Sequence, residues 1–328
     1  MKQVSLEMGS GGRLMQEFIR ERLLPVFKNR YLDELHDSAF LPPGMAFTTD
    51  SYTVDPIFFP GGDIGSLSVN GTINDLVVSG ARPEFMSLAL IIEEGLEMAT
   101  LDRILLSIKK TAARNKVTIV TGDTKVVPRG QADKIYINTA GVGRLVGRPH
   151  PEKIKPGDRI MVTGPVGEHG LAIMLTRNDF RMSSRVRSDC APLLFLLPLW
   201  KKGALWMRDI TRGGLATVLS ELADRVRYPL LVEEEKIPLS RSLKGAVEIL
   251  GIDPLYLACE GRALLVVREA EAQKVLSFLK KQPGARQAAI IGQVQDRIGR
   301  QGEALLQTPG GGLRLLEPLT SELLPRIC

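Results

Sequence analysis

The chain has 328 residues, of which 44% are hydrophobic and 24% are charged, and its formal net charge is +6. These values are typical of a globular protein that can bury a core without disulfides or metal, and the length favours two domains. The sequence has no apolar run of bilayer length and no apolar leader at its start, and its basic residues are spread out. We therefore expect a cytoplasmic protein that binds neither membrane nor nucleic acid.

The first half of the chain mixes helical and strand patterns. The glycines at 9–12 precede a helical pattern, and residues 48–54 predict a strand followed by a turn. Apolar residues at helical spacing predict an amphipathic helix over 98–114. The β-branched run at 117–121 predicts a short buried strand, and the alternation at 134–139 predicts another strand.

Turn residues become dense between residues 147 and 158, and the pattern of strands and helices then begins again. Both halves therefore belong to the α/β or α+β class. Strands are predicted at 160–163, 263–267 and 289–294, and helices at 211–226 and 270–279.

We divide the chain into a domain of residues 1–150, a domain of residues 151–318 and a tail of residues 319–328. Pro318 and Pro325 discourage helix at the tail. Fully extended, the last eight residues would span roughly 26–29 Å. We therefore expect a flexible arm that reaches either its own active site or another protein.

The three cysteines form no CxxC pair and fit no zinc spacing. Cys190 and Cys259 lie in structured segments and are expected in the core, whereas Cys328 ends the chain. A free cysteine has a pKa of about 8.5. The terminal carboxylate opposes ionisation of Cys328 and Arg326 favours it, so we expect a neutral thiol that its surroundings must activate.

Aspartates at strand ends or turns are the other candidate chemical groups: Asp37, Asp50, Asp75 and Asp123. Each alone is typical of a cap or a turn, but several converging carboxylates would suit Mg²⁺ bound to a triphosphate. The sequence lacks the phosphate-binding GxxxxGK[ST] motif as well as GxSxG and HExxH, and it has only three histidines.

Two glycine-containing segments could contact phosphate through backbone N–H groups. Gly9, Gly11 and Gly12 precede the first helical pattern, and a flexible turn is the alternative there. Asp209 opens the segment Asp-Ile-Thr-Arg-Gly-Gly214, which an N-cap and a tight turn would also explain.

Taken together, these segments resemble the HypE family of hydrogenase maturation factors, in the PurM-like (AIR synthetase) ATPase superfamily. The resemblance covers nearly the whole chain, and the Pro-Arg-Ile-Cys328 ending is its most specific part. Besides the ending, the matching segments are Gly-Ser-Gly-Gly12, Phe-Thr-Thr-Asp-Ser-Tyr52, Gly71-Thr-Ile-Asn-Asp-Leu-Val-Val-Ser-Gly80, Val120-Thr-Gly-Asp-Thr-Lys-Val-Val127 and Asp209-Ile-Thr-Arg-Gly-Gly214.

This resemblance implies two α/β domains, with a shared β-barrel formed by the N-terminal domains of a homodimer and a C-terminal α/β sandwich. It implies an ATP- and Mg²⁺-dependent carbamoyl dehydratase. The terminal cysteine would receive a carbamoyl group from HypF and be dehydrated to a thiocyanate. The cyanide would pass to iron on the HypC–HypD complex, for nickel–iron hydrogenases.

The same resemblance assigns roles to residues. Asp37, Asp50, Asp75 and Asp123 would hold Mg²⁺ and ATP, together with the glycine segment and Asp209. Glu260 would accept a proton near the Cys328 thiol, and Lys125 would supply positive charge. The sequence departs from the family at Met8 and Cys259, where histidine and asparagine are common.

Two alternatives stay open. Another PurM-like kinase or synthetase would explain the aspartates but would leave the tail without a role. A carrier that only shuttles a carbamoyl group on Cys328 would have no ATP turnover.

Overall fold

The structure is a computed structural model that describes residues 3–9, 11–32, 35–177, 185–319 and 326–328. None of the helices among these residues is long and apolar enough to cross a membrane. The α-helices are α1 (Arg13–Phe18), α2 (Leu24–Phe27), α3 (Ile64–Val78), α4 (Met98–Arg114), α5 (Glu168–Thr176), α6 (Gly214–Arg225), α7 (Arg241–Leu250) and α8 (Ala272–Lys280). The strands are β1 (Ala39–Leu41), β2 (Met45–Tyr52), β3 (Phe58–Phe59), β4 (Gly62–Asp63), β5 (Ala81–Glu93), β6 (Thr118–Val127), β7 (Ile135–Leu145), β8 (Arg159–Val162), β9 (Ala204–Asp209), β10 (Leu230–Glu233), β11 (Ala263–Val267), β12 (Ala289–Val294), β13 (Ala304–Gln307) and β14 (Leu313–Leu315).

The first sheet has five strands in the order β1-β2-β7-β5-β6, and only β5 and β6 are parallel. Helices α3 and α4 pack together beneath its inner face. Helix α3 begins at a capping box, in which Asp63 accepts from the Ser66 N–H at 2.9 Å and Ser66 Oγ accepts from the Asp63 N–H at 3.0 Å. Almost every residue of α3 is buried, because the helix lies between the first sheet and strand β9 of the second.

The second sheet has seven strands in the order β14-β13-β10-β12-β8-β11-β9. Strand β11 is buried throughout, which requires cover on both faces. Leu264 and Val266 belong to the cluster that contains α6, whereas Leu265 and Val267 belong to the cluster that contains α8 and α3. Strand β9, at the edge of this sheet beside β11, contacts α3, and it ends at Asp209.

The α/β character predicted for both halves is confirmed, and helix α4 has the predicted bounds. Helix α6 begins at Gly214 rather than residue 211, because Gly213 and Gly214 are left-handed with φ of 80° and 64°. The prediction that residues 117–121 form a buried strand is wrong. Residues 118–121 begin the long strand β6, which is mostly exposed and, among the described residues, has a neighbouring strand on one side only.

The end of the chain differs from the flexible arm that the sequence predicted. Ile327 and Cys328 are buried, and the backbone of residues 326–328 is hydrogen-bonded to the body of the protein. The preceding tail residues 320–325, which include Ser321 and Pro325, lie outside the described residues, as does Ser10 of the glycine segment.

Candidate active site

A cavity of about 330 Å³ lies where the two sheets approach each other. Both halves of the chain contribute charged side chains to it, and the terminal Cys328 reaches it. Its charged lining residues are Arg20, Asp37, Asp50, Asp75, Arg208, Asp209, Arg212, Glu221, Arg225 and Glu260. Such a concentration of titratable groups around a thiol marks this cavity as the candidate active site.

Three aspartates converge in this cavity. Asp37 precedes β1, Asp75 lies near the end of α3 and Asp209 ends β9, and their carboxylate oxygens lie within 4.8 Å of one another. The Thr48 hydroxyl donates a hydrogen bond to Asp75 Oδ2 at 2.8 Å, which orients that carboxylate. Arg208 lies 3.2 Å from Asp37 and 3.3 Å from Glu221, so it forms ion pairs with both carboxylates.

Burial and mutual repulsion perturb these carboxyl groups. Burial, followed by the charge of Asp37, raises the pKa of Asp209 to about 8. Burial and the charge of Asp209 raise the pKa of Asp75 well above its usual range, and burial also raises the pKa of Asp50. The raised pKa values of Asp75 and Asp209 favour their protonated forms unless a cation compensates the negative charge, and the all-oxygen donor set of the cluster suits Mg²⁺.

The thiol of Cys328 is 7% exposed. Burial raises its pKa to about 12, although the positive charge of Arg212 opposes the shift. The attraction between the ionised form of Cys328 and the guanidinium is in turn the largest cause that raises the pKa of Arg212. The sequence pointed to Arg326 as the group that favours the thiolate, but Arg326 pairs with Asp133 instead, and Arg212 is the cation that acts on the thiol.

Glu260 lines the same cavity and is only 4% exposed. Its Oε1 atom has no hydrogen-bond partner among the described residues, and burial raises the pKa of its carboxyl well above the usual range. Hydrogen bonds to a buried carboxylate, that of Asp189, hold the turn that carries Glu260. The buried Asp189 carboxylate accepts from the N–H groups of Glu260 at 3.1 Å and Gly261 at 3.2 Å.

Cys259, which precedes Glu260, belongs to the core as expected. It is fully buried, and its sulfur accepts a hydrogen bond from the Gly167 N–H at 3.1 Å. Cys190 is half-buried, and Asn70 donates to its sulfur at 3.5 Å. Cys328 is therefore the cysteine that the structure brings to the cavity.

The glycine segment has a packing reason for its composition. Gly11 lines the cavity at a φ of 81°, and a Cβ there would collide with Arg212. A Cβ on Gly12 would collide with the backbone of Leu319, whose carbonyl accepts from the Arg13 N–H at 2.9 Å. The carbonyl of Gly9 accepts from Arg212 at 3.4 Å. The segment thus fits tightly beside the cavity and the start of the tail.

Asp123 and Lys125 do not reach the cavity within one chain. They pair with each other at 2.7 Å, with side chains 63% and 65% exposed. Lys125 lies opposite Ile91 of β5, and Ile91 is itself 43% exposed. Both charged residues therefore lie on the outer face of the first sheet, on the side away from α3.

Comparison with known proteins agrees with this geometry. Residues 36–145 match the family of AIR synthase related proteins in its N-terminal domain, and residues 155–302 match it in its C-terminal domain. The carbamoyl dehydratase HypE of Rhodobacter capsulatus is 42% identical over 337 aligned positions, which cover 100% of this chain and 98% of the relative. The chain belongs to the HypE family. The PurM-like two-domain fold expected from the sequence is thereby confirmed.

Two solved structures of the HypE family show the same fold with a ligand or a partner. HypE in complex with ATP has a TM-score of 0.83 and 42% identity, covering 99% of this chain and 100% of that one. HypE in the HypE–HypF complex has a TM-score of 0.87 and 39% identity, covering 92% of this chain and 99% of that one.

Family membership does not assign roles to individual residues, and those roles stay predictions. The cavity brings together Asp37, Asp50, Asp75, Asp209, Gly11, Glu260 and Cys328. Sequence reasoning did not single out Arg212 or Asp189. The Asp-Ile-Thr-Arg segment places Arg212 directly after a strand end, which is a usable signal, whereas nothing in the sequence marks Asp189.

Proposed function

We propose that this chain catalyses the ATP-dependent dehydration of its own S-carbamoylated Cys328 to a thiocyanate. The observation that carries the proposal is that the buried thiol shares one cavity with an acidic cluster and with Glu260. The curated relatives named carbamoyl dehydratase, and the HypE structure with ATP, support the same reaction.

The chemistry requires two steps at the carbamoyl group. The carbamoyl oxygen is a poor leaving group, so it first attacks the γ-phosphorus of ATP, releasing ADP, and the nitrogen loses one proton. The bond between the carbamoyl carbon and the phosphorylated oxygen then breaks, and inorganic phosphate departs with that oxygen. The nitrogen loses its second proton to complete the C≡N bond. A base must accept the protons.

The acidic cluster is the proposed site for Mg²⁺ and the phosphates. Asp37, Asp75 and Asp209 would hold the ion, and Asp50 and Gly11 line the same cavity. Bound there, Mg²⁺ supplies positive charge that offsets both the triphosphate and the carboxylates.

Glu260 and Arg212 are the proposed groups at the reacting end. The raised pKa of Glu260 makes it a stronger base than an ordinary glutamate, and its unpartnered Oε1 is able to accept a proton. The guanidinium of Arg212 favours negative charge on the sulfur and on the oxygen that is phosphorylated. These roles lie within a single chain.

We further propose a homodimer formed through the open face of the first sheet. That face exposes the apolar side chains of Phe47, Phe85 and Ile91, a pattern that calls for cover. Asp123 and Lys125 lie on this face as well. Any contact that they make with ATP or with a tail would therefore be with the ATP or the tail of a second copy of the chain. The shared β-barrel expected from the sequence would form there.

HypF is the proposed carbamoyl donor, because a HypE relative is solved in complex with HypF. The HypC–HypD complex is the proposed acceptor of the cyanide, and the cytoplasm is the proposed location, both from the family resemblance. Since Cys328 is buried, the tail must leave the cavity for each exchange with a partner.

Intact-mass measurement tests the proposed reaction. The protein is incubated with HypF, carbamoyl phosphate and ATP, and more ATP is then supplied. We expect wild type to gain one carbamoyl group and then to lose one water, and Cys328→Ala to do neither. Retention of the carbamoyl group by protein that binds ATP would contradict the dehydratase and favour the carrier.

A further inference from the structure

The last three residues, Arg326 to Cys328, occupy a groove lined by both halves of the chain. Thr53 donates to the backbone oxygen of Cys328 from its N–H at 2.9 Å and from its hydroxyl at 3.2 Å. His169 Nε2 donates to the Ile327 carbonyl at 2.7 Å. Arg177 donates to the Arg326 carbonyl at 2.6 Å. The backbone oxygens of all three residues therefore accept hydrogen bonds from the body of the protein.

His169 is held as a donor by its own surroundings. The ring is fully buried, and its Nδ1 lies 2.8 Å from the Ser188 hydroxyl. Since a carbonyl can only accept, the ring proton lies on Nε2 and Ser188 donates to Nδ1. Burial lowers the pKa of His169 to about 4, so the ring stays neutral and satisfied near neutral pH.

The side chains of the segment are recognised as well. Ile327 is buried in the main core cluster, near Gly170. Arg326 forms an ion pair with Asp133 and donates from Nε to the Thr53 carbonyl at 2.8 Å. Its backbone has a φ of 52°, which is unfavourable for arginine, so these contacts hold a conformation that the free tail would rarely adopt.

We propose that Thr53, Asp133 and His169 form a receptor for the terminal Arg-Ile-Cys sequence and act as positioning residues that hold the thiol in the cavity. The receptor binds the guanidinium of Arg326, the branched apolar side chain of Ile327 and the terminal Cys328, in that order along the chain. Its purpose rests on the proposed function, but its existence does not. None of the three residues belongs to the acidic cluster.

The test is the rate at which iodoacetamide alkylates Cys328 in the full-length protein, read by peptide mass spectrometry without ATP or HypF. Asp133 is 40% exposed at its side chain, so Asp133→Asn is compatible with folding. Asp102→Asn, on the exposed side of α4, is the matched control. Alkylation of the fully buried Cys259 in the same sample reports global unfolding.

We expect Asp133→Asn to speed alkylation of Cys328 about fivefold, the ratio that corresponds to an ion pair of about 1 kcal/mol. The control and the rate at Cys259 should not change. Arg326→Gln should speed alkylation at least as much, because it also removes the hydrogen bond to the Thr53 carbonyl. The double variant should be no faster than Arg326→Gln, because both substitutions remove the same ion pair. His169→Gln should also expose Cys328 selectively.

Equal Cys328 rates in wild type, Asp133→Asn and His169→Gln would overturn the receptor. Parallel increases at Cys328 and Cys259 would also overturn it, since they would indicate general loosening. If Cys328 is selectively exposed in the variants while carbamoylated wild type never loses water, the proposed function fails and the receptor stands.

Discussion

Replacing Glu260 with glutamine tests the proposed base without disturbing the site. The two side chains have the same shape, and Glu260 Oε1 has no partner among the described residues whose hydrogen bond would be lost. The cause of its raised pKa is burial, which disfavours the charged form, so the neutral amide removes no charge that stabilises the fold. We therefore expect the folding stability of Glu260→Gln to stay close to that of wild type.

The dehydration rate should respond very differently. A positioned general base contributes about 10²–10⁴-fold, which corresponds to roughly 3–5 kcal/mol in the barrier. After carbamoylation by HypF, a single turnover with ATP is followed by intact mass over time. We expect Glu260→Gln to accept the carbamoyl group but to lose water at least about 100-fold more slowly. Loss of water within about threefold of the wild-type rate would refute Glu260 as the base.

Further predictions concern charge, pH, assembly and metal. Arg212→Gln should slow water loss about 100-fold in the same assay, because it removes the guanidinium proposed to favour negative charge on the carbamoyl oxygen. Burial lowers the pKa of His169 to about 4, whereas the pKa of an unfolded histidine is about 6.5. As pH falls from 6.5 to 4, wild type should therefore lose about 3 kcal/mol of unfolding free energy in urea titrations that His169→Gln does not lose. Ile91→Asp should convert a dimer to a monomer in light scattering, because it places a charge on the open face. Chelation of Mg²⁺ should abolish water loss, and restoring Mg²⁺ should recover it, with carbamoylated protein as the starting material.

The elements that could be predicted from the sequence are those with a strong local pattern. Helix α4 has a single buried stripe of Ile104, Ile108 and Ala112, so its periodicity marks it clearly. Helix α3 is buried on nearly all sides and has no polar face, so it escaped prediction although it positions Asp75. Strand β6 shows the converse, because its β-branched residues signal a strand but not whether anything covers it.

The candidate site was partly predictable for the same kind of reason. Asp37 and Asp209 lie outside or at the end of a strand, as the sequence suggested, whereas Asp75 lies inside helix α3 rather than at a strand end or turn. Only the packing of α3 against β9 brings the three carboxylates within 4.8 Å. The cation beside Cys328 could not be inferred from proximity in sequence. Arg326 is two residues from Cys328 in the sequence but pairs with Asp133. Arg212, which is more than 100 residues away in the sequence, is the cation that acts on the Cys328 thiol.

The central claim is that the oxygen of the carbamoyl group on Cys328 leaves as phosphate. The most direct measurement uses protein carbamoylated with a heavy-oxygen label, supplied with unlabelled ATP and water. We predict that the label appears in inorganic phosphate as Cys328 loses one water in mass. Loss of that mass with the label in water and none in phosphate would contradict the account.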